Sequence, residues 1–94
     1  MKTVHALITG RVQGVSYRAW TADEAEARGI AGWVRNRRDG TVEAVFSGED
    51  EAVEAMLAAC REGPRTAVVN QVEVTQAEAP GHRGFRILPT VEGD

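Results

Sequence analysis

Hydrophobic residues alternate with polar ones in several stretches of the chain, which is typical of β-strands with one buried face. The alternation is clearest at residues 3–9 and 67–78, and residues 30–37 and 41–47 form two further strand-like runs between them. A shorter stretch at 83–88 places Phe85 and Ile87 on one face. The Asp39-Gly40 pair lies between the runs at 30–37 and 41–47, and such a pair between two strands is a strong hairpin signal.

Two other stretches predict helices. Residues 17–28 are rich in Ala and Glu, with Ser16 as a typical N-cap residue before them and Gly29 as a natural end. Between Gly48 and Gly63, hydrophobic residues recur at helical spacing on one face: Val53, Met56, Leu57 and Cys60.

The resulting β-α-β-β-α-β order predicts an α+β fold of the ferredoxin-like type. In this sandwich a four-stranded antiparallel sheet carries two helices on one face, and the stretch at 83–88 allows a short extra strand. The length of 94 residues fits one domain, so residues 1–94 are expected to form a single domain.

Composition narrows the class of protein. Hydrophobic residues are 43% of the chain and charged residues 27%, which is ordinary for a soluble globular domain. A net charge of −3 and an aromatic content of 5% do not suit a nucleic-acid partner. The single cysteine, Cys60, cannot form an intrachain disulfide, and no apolar stretch is long enough for a signal peptide or a membrane span. We therefore expect a cytoplasmic protein without a membrane partner.

Several common sites are disfavoured. His5 and His82 have no neighbouring Cys or His at metal-ligand spacing, so no metal is expected. The segment from Gly10 to Gly14 lacks the Gly-Lys-Ser/Thr ending of a nucleoside-triphosphate loop. Ser16 follows a Gly-Val pair as in a nucleophile elbow, but an arginine stands where the second glycine should be, so a helix cap is the simpler interpretation.

Residues 10–18 contain two glycines and two arginines and lead directly into a predicted helix, a combination that suggests a binding site as well as a loop. Two glycines allow the backbone N–H groups to turn toward one point, and a helix begins directly afterwards. Arg18 lies in the first helical turn, where its forked guanidinium can bind two phosphoryl oxygens. Residue types alone leave two interpretations open: a phosphate-binding loop, or an ordinary strand-to-helix loop with a surface arginine.

The order of the residues in this segment favours a phosphate-binding loop. The run Gly-Arg-Val-Gln-Gly-Val-Ser-Tyr-Arg at 10–18 resembles the signature loop of the acylphosphatases, which hydrolyse the carboxyl–phosphate bond of acyl phosphates. A second family pattern follows, Gly-Trp-Val-Arg-Asn at 32–36, then Gly40, Val42 and Gly48. The resemblance extends over essentially the whole chain.

The resemblance implies a role for each matching residue. Arg18 would bind the phosphoryl oxygens, and Asn36 would orient the attacking water. The phosphate would be held by the loop residues Val12, Gln13, Gly14, Val15, Ser16, Tyr17 and Arg18. The family uses no metal or other cofactor and forms no covalent phosphoenzyme. Tyr17 departs from the pattern, which usually has Phe; its hydroxyl needs a partner if it is buried.

This chemistry suits the residues present. An acyl phosphate has a good leaving group, and phosphoryl transfer is catalysed mainly by positioning and electrostatic stabilisation. Asn36 is neutral and cannot act as a general base, although it can place a water. Arg35, Arg37 and Arg38 are expected to form an exposed, solvated face that could also steer anionic substrates.

Two other functions remain as alternatives. The first is a non-catalytic phosphate-binding module of the same fold. The second is an RNA-binding domain of the same topology, which is disfavoured because the chain lacks an aromatic-rich sheet motif and a basic charge. The small-molecule substrate of the leading hypothesis requires no partner chain, and a monomer is expected. Trp20 and Trp33 are expected to pack rather than to bind ligand.

Overall fold

The computed structural model describes residues 1–90, and its elements follow the order predicted from the sequence. The strands are β1 (Lys2–Arg11), β2 (Ala31–Asn36), β3 (Val42–Gly48), β4 (Val68–Gln76) and β5 (Phe85–Ile87). The helices are α1 (Tyr17–Ala27) and α2 (Asp50–Glu62). No helix within these 90 residues is both long and apolar enough to cross a membrane.

The strands form one sheet in the order β4-β1-β3-β2-β5. The first four strands pair antiparallel with their neighbours, as predicted for the ferredoxin-like arrangement. The stretch at 83–88 provides the extra strand, β5, which pairs parallel with β2 through Gly32 and Phe85. The predicted fold class is therefore confirmed, and the extra strand extends the sheet on the β2 side.

Both helices pack on the same face of the sheet and form the core with it. Alternate residues of β1 point into this core, and Val4, Ala6 and Ile8 are all buried. The predicted stripe of α2 is buried along its full length. The small residues of α1 that face the sheet are Thr21, Ala22 and Ala25, which allow the helix to lie close to it. Cys60 is a core residue, as predicted.

The opposite face of the sheet carries a charged network centred on Glu43. This side chain is only 8% exposed, and its carboxylate accepts hydrogen bonds from Arg35 Nε at 2.8 Å and from His5 Nε2 at 2.7 Å. An Arg37 guanidinium nitrogen lies 3.5 Å from the same carboxylate. The expectation of an exposed, solvated arginine face was therefore wrong for Arg35 and Arg37, because the antiparallel register places Glu43 directly opposite Arg35. Only Arg38 of the three is exposed.

Each tryptophan contacts protein side chains. Trp33 stacks under Arg35, whose guanidinium carbon lies 4.6 Å from the ring centroid. Trp20 packs against the core, with its ring centroid 5.3 Å from that of Tyr17. The packing role expected for Trp20 is confirmed, while the contact shown for Trp33 is the one with Arg35.

The end of β1 directs the chain out of the sheet toward α1. The pairing of β1 with β4 shifts between Thr9 and Gly10, which is a β-bulge. Gly10 has φ +137°, and a Cβ there would lie 2.2 Å from the Val68 carbonyl oxygen. Only glycine fits this close approach, and the bulge aims the following loop over the end of β2.

Candidate active site

The loop between β1 and α1 has the backbone geometry of an anion-binding site. Gly14 and Ser16 both lie in the left-handed region, with φ +74° and +65°, while Val15 between them does not. Alternation of hand at successive residues turns neighbouring N–H groups toward one point. A Cβ on Gly14 would contact nothing within 4 Å, so the glycine is required by its backbone angle rather than by crowding.

The first turn of α1 continues this surface of N–H groups. The Ser16 carbonyl accepts the first helical bond, from Trp20 N at 3.0 Å, so the N–H groups of the three preceding residues have no partner within the helix. No acidic residue lies in the first turn, which leaves the positive end of the helix dipole uncompensated. Ser16 occupies the N-cap position, but its hydroxyl makes no capping bond. The expected side-chain cap was wrong because the left-handed backbone turns that hydroxyl away.

Side chains hold the loop from two sides. On one side, Gln13 Nε2 donates to the carbonyls of Arg37 and Thr41, at 2.7 and 2.8 Å. On the other side, Thr66 Oγ1 donates to the Val15 carbonyl at 2.9 Å. The loop is therefore fixed to both the β2–β3 hairpin and the segment that precedes β4.

Tyr17 anchors the start of α1 in the core. Its side chain is buried, and its hydroxyl donates to the Cys60 carbonyl at 2.8 Å. That carbonyl has no helical donor, because the residue four positions on is Pro64, which has no N–H. The hydroxyl of Tyr17 thus finds the partner that the sequence analysis required of it.

Arg18 and Asn36 line one cleft of about 380 Å³ beside this loop. Most of the predicted phosphate-binding residues line it as well: Val12, Gln13, Gly14, Ser16, Tyr17 and Arg18. Val15 instead lines the neighbouring groove. Ala19 and Ile87 complete the cleft. Sequence reasoning missed Ile87, because nothing in the sequence indicated that β5 pairs with β2 and brings it beside Asn36.

The cation of the cleft is available for a ligand. Arg18 is half-buried in the first turn of α1, and its guanidinium forms no ion pair or hydrogen bond with the rest of residues 1–90. This contrasts with Arg35, which is committed to a carboxylate. A guanidinium beside converging N–H groups suits the oxygens of a phosphoryl group.

Asn36 ends β2, and its side chain points into the helix-covered side of the sheet edge, like Val34 two residues earlier. Its Oδ1 is buried and accepts no hydrogen bond from the described part of the chain. An unpaired buried acceptor costs about 1–3 kcal/mol. Asn36 therefore holds an acceptor that a water or a ligand donor in the cleft can satisfy.

Two buried side chains have the chemistry of a nucleophile or base, Tyr17 in the wall of the cleft and Cys60 in the core behind it, and burial disfavours the charged form of each. Burial raises the pKa of the Tyr17 hydroxyl far above its ordinary value. Burial also raises the pKa of the Cys60 thiol to about 12. Neither group can ionise near neutral pH to serve as a nucleophile or base. Within residues 1–90, no three His, Cys, Asp or Glu side chains come together as metal ligands would.

The fold and the site together define a class: a small ferredoxin-like α+β protein in which a glycine-containing loop, a helix N-terminus and an arginine line one cleft, an arrangement suited to an oxyanion. A family model described as acylphosphatase matches residues 4–87. An acylphosphatase of Azorhizobium caulinodans is 62% identical over 90 residues, which are 95% of this chain and 97% of that protein. One of Rhodospirillum rubrum is 55% identical over 91 residues, covering 97% and 100% of the two chains.

Solved structures agree with this assignment. The crystal structure of an acylphosphatase from Bacillus subtilis superposes with a TM-score of 0.88 at 36% identity, covering 94% of this chain and 99% of that one. The chain belongs to the acylphosphatase family.

Proposed function

We propose that the cleft between the β1–α1 loop and the end of β2 hydrolyses acyl phosphates by direct attack of water on phosphorus. As a member of its family, the chain is an acyl phosphate hydrolase. The roles are assigned on one observation: Arg18 and Asn36 line one cleft, and within residues 1–90 neither the Arg18 guanidinium nor Asn36 Oδ1 has a partner.

The phosphoryl group would bind to the backbone N–H groups of the loop and the first turn of α1. Arg18 would add a charge-assisted contact to two phosphoryl oxygens. Because the transition state is loose and its charge is spread over the phosphoryl oxygens, donors fixed in advance stabilise it without reorganisation.

Asn36 would hold the attacking water through Oδ1. The water oxygen forms a bond to phosphorus while the bond from phosphorus to the acyl oxygen breaks, and the carboxylate leaves with that electron pair. The proton of the water passes to a phosphoryl oxygen. No residue of the cleft needs to lose a proton, which agrees with the raised pKa of Tyr17 in its wall.

Further properties belong to the proposal. Residues 1–94 would act as one domain and as a cytoplasmic monomer, without a metal, another cofactor or a nucleic-acid partner. On the open sheet face, where an RNA-binding domain of this topology would need free basic groups, Arg35 and Arg37 lie against Glu43. Size-exclusion chromatography tests whether the protein is a monomer, and filter binding with single-stranded RNA tests whether it binds nucleic acid.

Benzoyl phosphate hydrolysis in the presence of a chelator tests the assignment. Replacing Arg18 by Ala should lower kcat/KM by about 10²–10³-fold, the usual effect of removing a donor to transition-state charge. Arg61→Ala is the matched control, because Arg61 is exposed on α2 and lines none of the cleft. Asn36→Ala should lower kcat with KM roughly kept, since placing the water acts on the chemical step.

Three results would contradict the proposal. Full activity of the Arg18→Ala variant would contradict the proposed role of Arg18 in binding the phosphoryl group. Activity abolished by the chelator would establish a metal requirement. Binding of inorganic phosphate without any turnover would favour the non-catalytic phosphate-binding module.

A further inference from the structure

Gln13 lines the phosphate cleft, and its side-chain amide binds the hairpin that follows Asn36. One amide nitrogen reaches two carbonyl oxygens, those of Arg37 at 2.7 Å and Thr41 at 2.8 Å. An NH₂ group has two hydrogens, so both bonds can be made at once. The bond to Arg37 links residues that are 24 positions apart in the sequence. It joins the phosphate loop to the end of β2, where Asn36 lies.

The two acceptors are the residues that close the hairpin turn. Arg37 N donates to the Thr41 carbonyl at 2.9 Å, and Gly40 N donates to the Arg37 carbonyl at 3.1 Å. Each carbonyl therefore accepts one bond from the turn and one from Gln13. Because Arg37 is covalently joined to Asn36, the Gln13 amide fixes the backbone directly beside the residue that would hold the water.

We infer that Gln13 is a positioning residue, which sets the distance between the bound phosphoryl group and the water on Asn36. The inference rests on the proposed role of Asn36. The phosphoryl group is held by the loop and Arg18, while the water is held by another element, so an in-line attack requires that the two elements keep one spacing. A misplacement of about 1 Å between reacting groups costs on the order of 10²-fold in rate.

The tether on the other side of the loop provides a matched contrast. Thr66 also donates from its side chain to bind the loop, but this bond joins Val15 to the segment before β4 and does not involve the β2–β3 hairpin. Losing this tether loosens the loop without changing the hold on Asn36. Thr66→Val should therefore raise KM and leave kcat nearly unchanged.

The variants of Gln13 have distinct expected effects. Gln13→Ala should lower kcat about 10–100-fold with a smaller change in KM, because binding by the loop and Arg18 is retained. A glutamate has the same shape as Gln13 but cannot donate to the two carbonyls when it is ionised. Gln13→Glu should therefore lower kcat at least as much as Gln13→Ala does. Gln13→Asn keeps both donors on a shorter side chain and should be intermediate.

A double-mutant cycle with Asn36→Ala separates positioning from general destabilisation. If Gln13 acts through Asn36, then Gln13→Ala should lower kcat by less than about 3-fold once Asn36 is already Ala. The Thr66→Val change should have the same effect in either background. Melting curves of each variant, recorded by circular dichroism, establish that kcat is compared among folded proteins.

The possible failures are distinguishable. If Asn36→Ala leaves kcat unchanged, the proposed function fails at its water-binding residue. If Asn36→Ala lowers kcat but Gln13→Ala does not, or if the two effects multiply in the double variant, the proposed function stands and the positioning role of Gln13 is overturned.

Discussion

Removing the hydroxyl of Tyr17 should destabilise the fold and spare the chemistry. In Tyr17→Phe the ring stays in its buried place, so no cavity forms, but the Cys60 carbonyl loses the donor that lies 2.8 Å away. The helix offers no replacement, since the residue four positions later is Pro64. The expected cost is that of a buried acceptor left unpaired.

This cost is about 1–2 kcal/mol, within the usual range for an unsatisfied buried group. For a chain of this size each kcal/mol lowers Tm by roughly 4–8 °C, so Tm should fall by roughly 4–16 °C. Thermal unfolding followed by circular dichroism measures the shift. Benzoyl phosphate hydrolysis well below Tm should proceed within about 2-fold of the parent rate, because the hydroxyl points away from the cleft.

Two results would refute this reasoning. An unchanged Tm would mean that the Cys60 carbonyl finds another donor at no cost. A large loss of kcat at a temperature where the variant is folded would mean that the hydroxyl contributes to the cleft and not only to the anchoring of α1.

Two further predictions concern the loop and the open sheet face. Gly14→Ala should lower Tm and raise the Ki of inorganic phosphate several-fold, because a residue with φ +74° is strained by about 1–2 kcal/mol once it has a Cβ. The control is Gly29→Ala, where φ is +69° and the surroundings are equally open. This variant should lower Tm by a similar amount without changing the Ki. An equal Ki in the two variants would argue against the loop as the anion site. Glu43→Gln should lower the unfolding free energy by about 1–3 kcal/mol at neutral pH, since it breaks a buried network. Burial opposes ionisation of Glu43, but hydrogen bonds from Arg35 and His5 outweigh it and lower the pKa of this carboxyl. The ionised Glu43 should therefore stabilise the fold fully at pH values above 4.5, the ordinary pKa of glutamate, and this stabilisation should be lost as the pH falls through the lower pKa of the folded state. The difference in Tm between the parent and Glu43→Gln should accordingly close in acid. A difference that widens in acid would contradict this prediction.

Much of the fold was predictable because only one face of the sheet is covered by helices. In β1 this produces regular alternation of buried and more exposed residues, and the pattern is readable along the chain. The central strand β3 is different, since all seven of its residues are buried. The burial of Glu43 was not predicted, because its partners Arg35 and His5 come from two other strands.

The site was predictable where a residue's role depends on its own segment, and less so where it depends on distant contacts. The loop, Arg18 and Asn36 were expected from two local motifs, and the structure brings them to one cleft. The bonds of the Gln13 side chain were not expected, because they depend on how closely the loop approaches the hairpin. The hydroxyl of Ser16 was misassigned, since residue type alone does not reveal a left-handed backbone.

Isotope tracing tests the central claim most directly. Benzoyl phosphate is turned over in water enriched in heavy oxygen, and the products are analysed by mass spectrometry. If water held beside Asn36 attacks the phosphoryl group bound by the loop and Arg18, the label should appear in the phosphate and not in the benzoate. Label in the benzoate would show attack at the acyl carbon and would contradict the account.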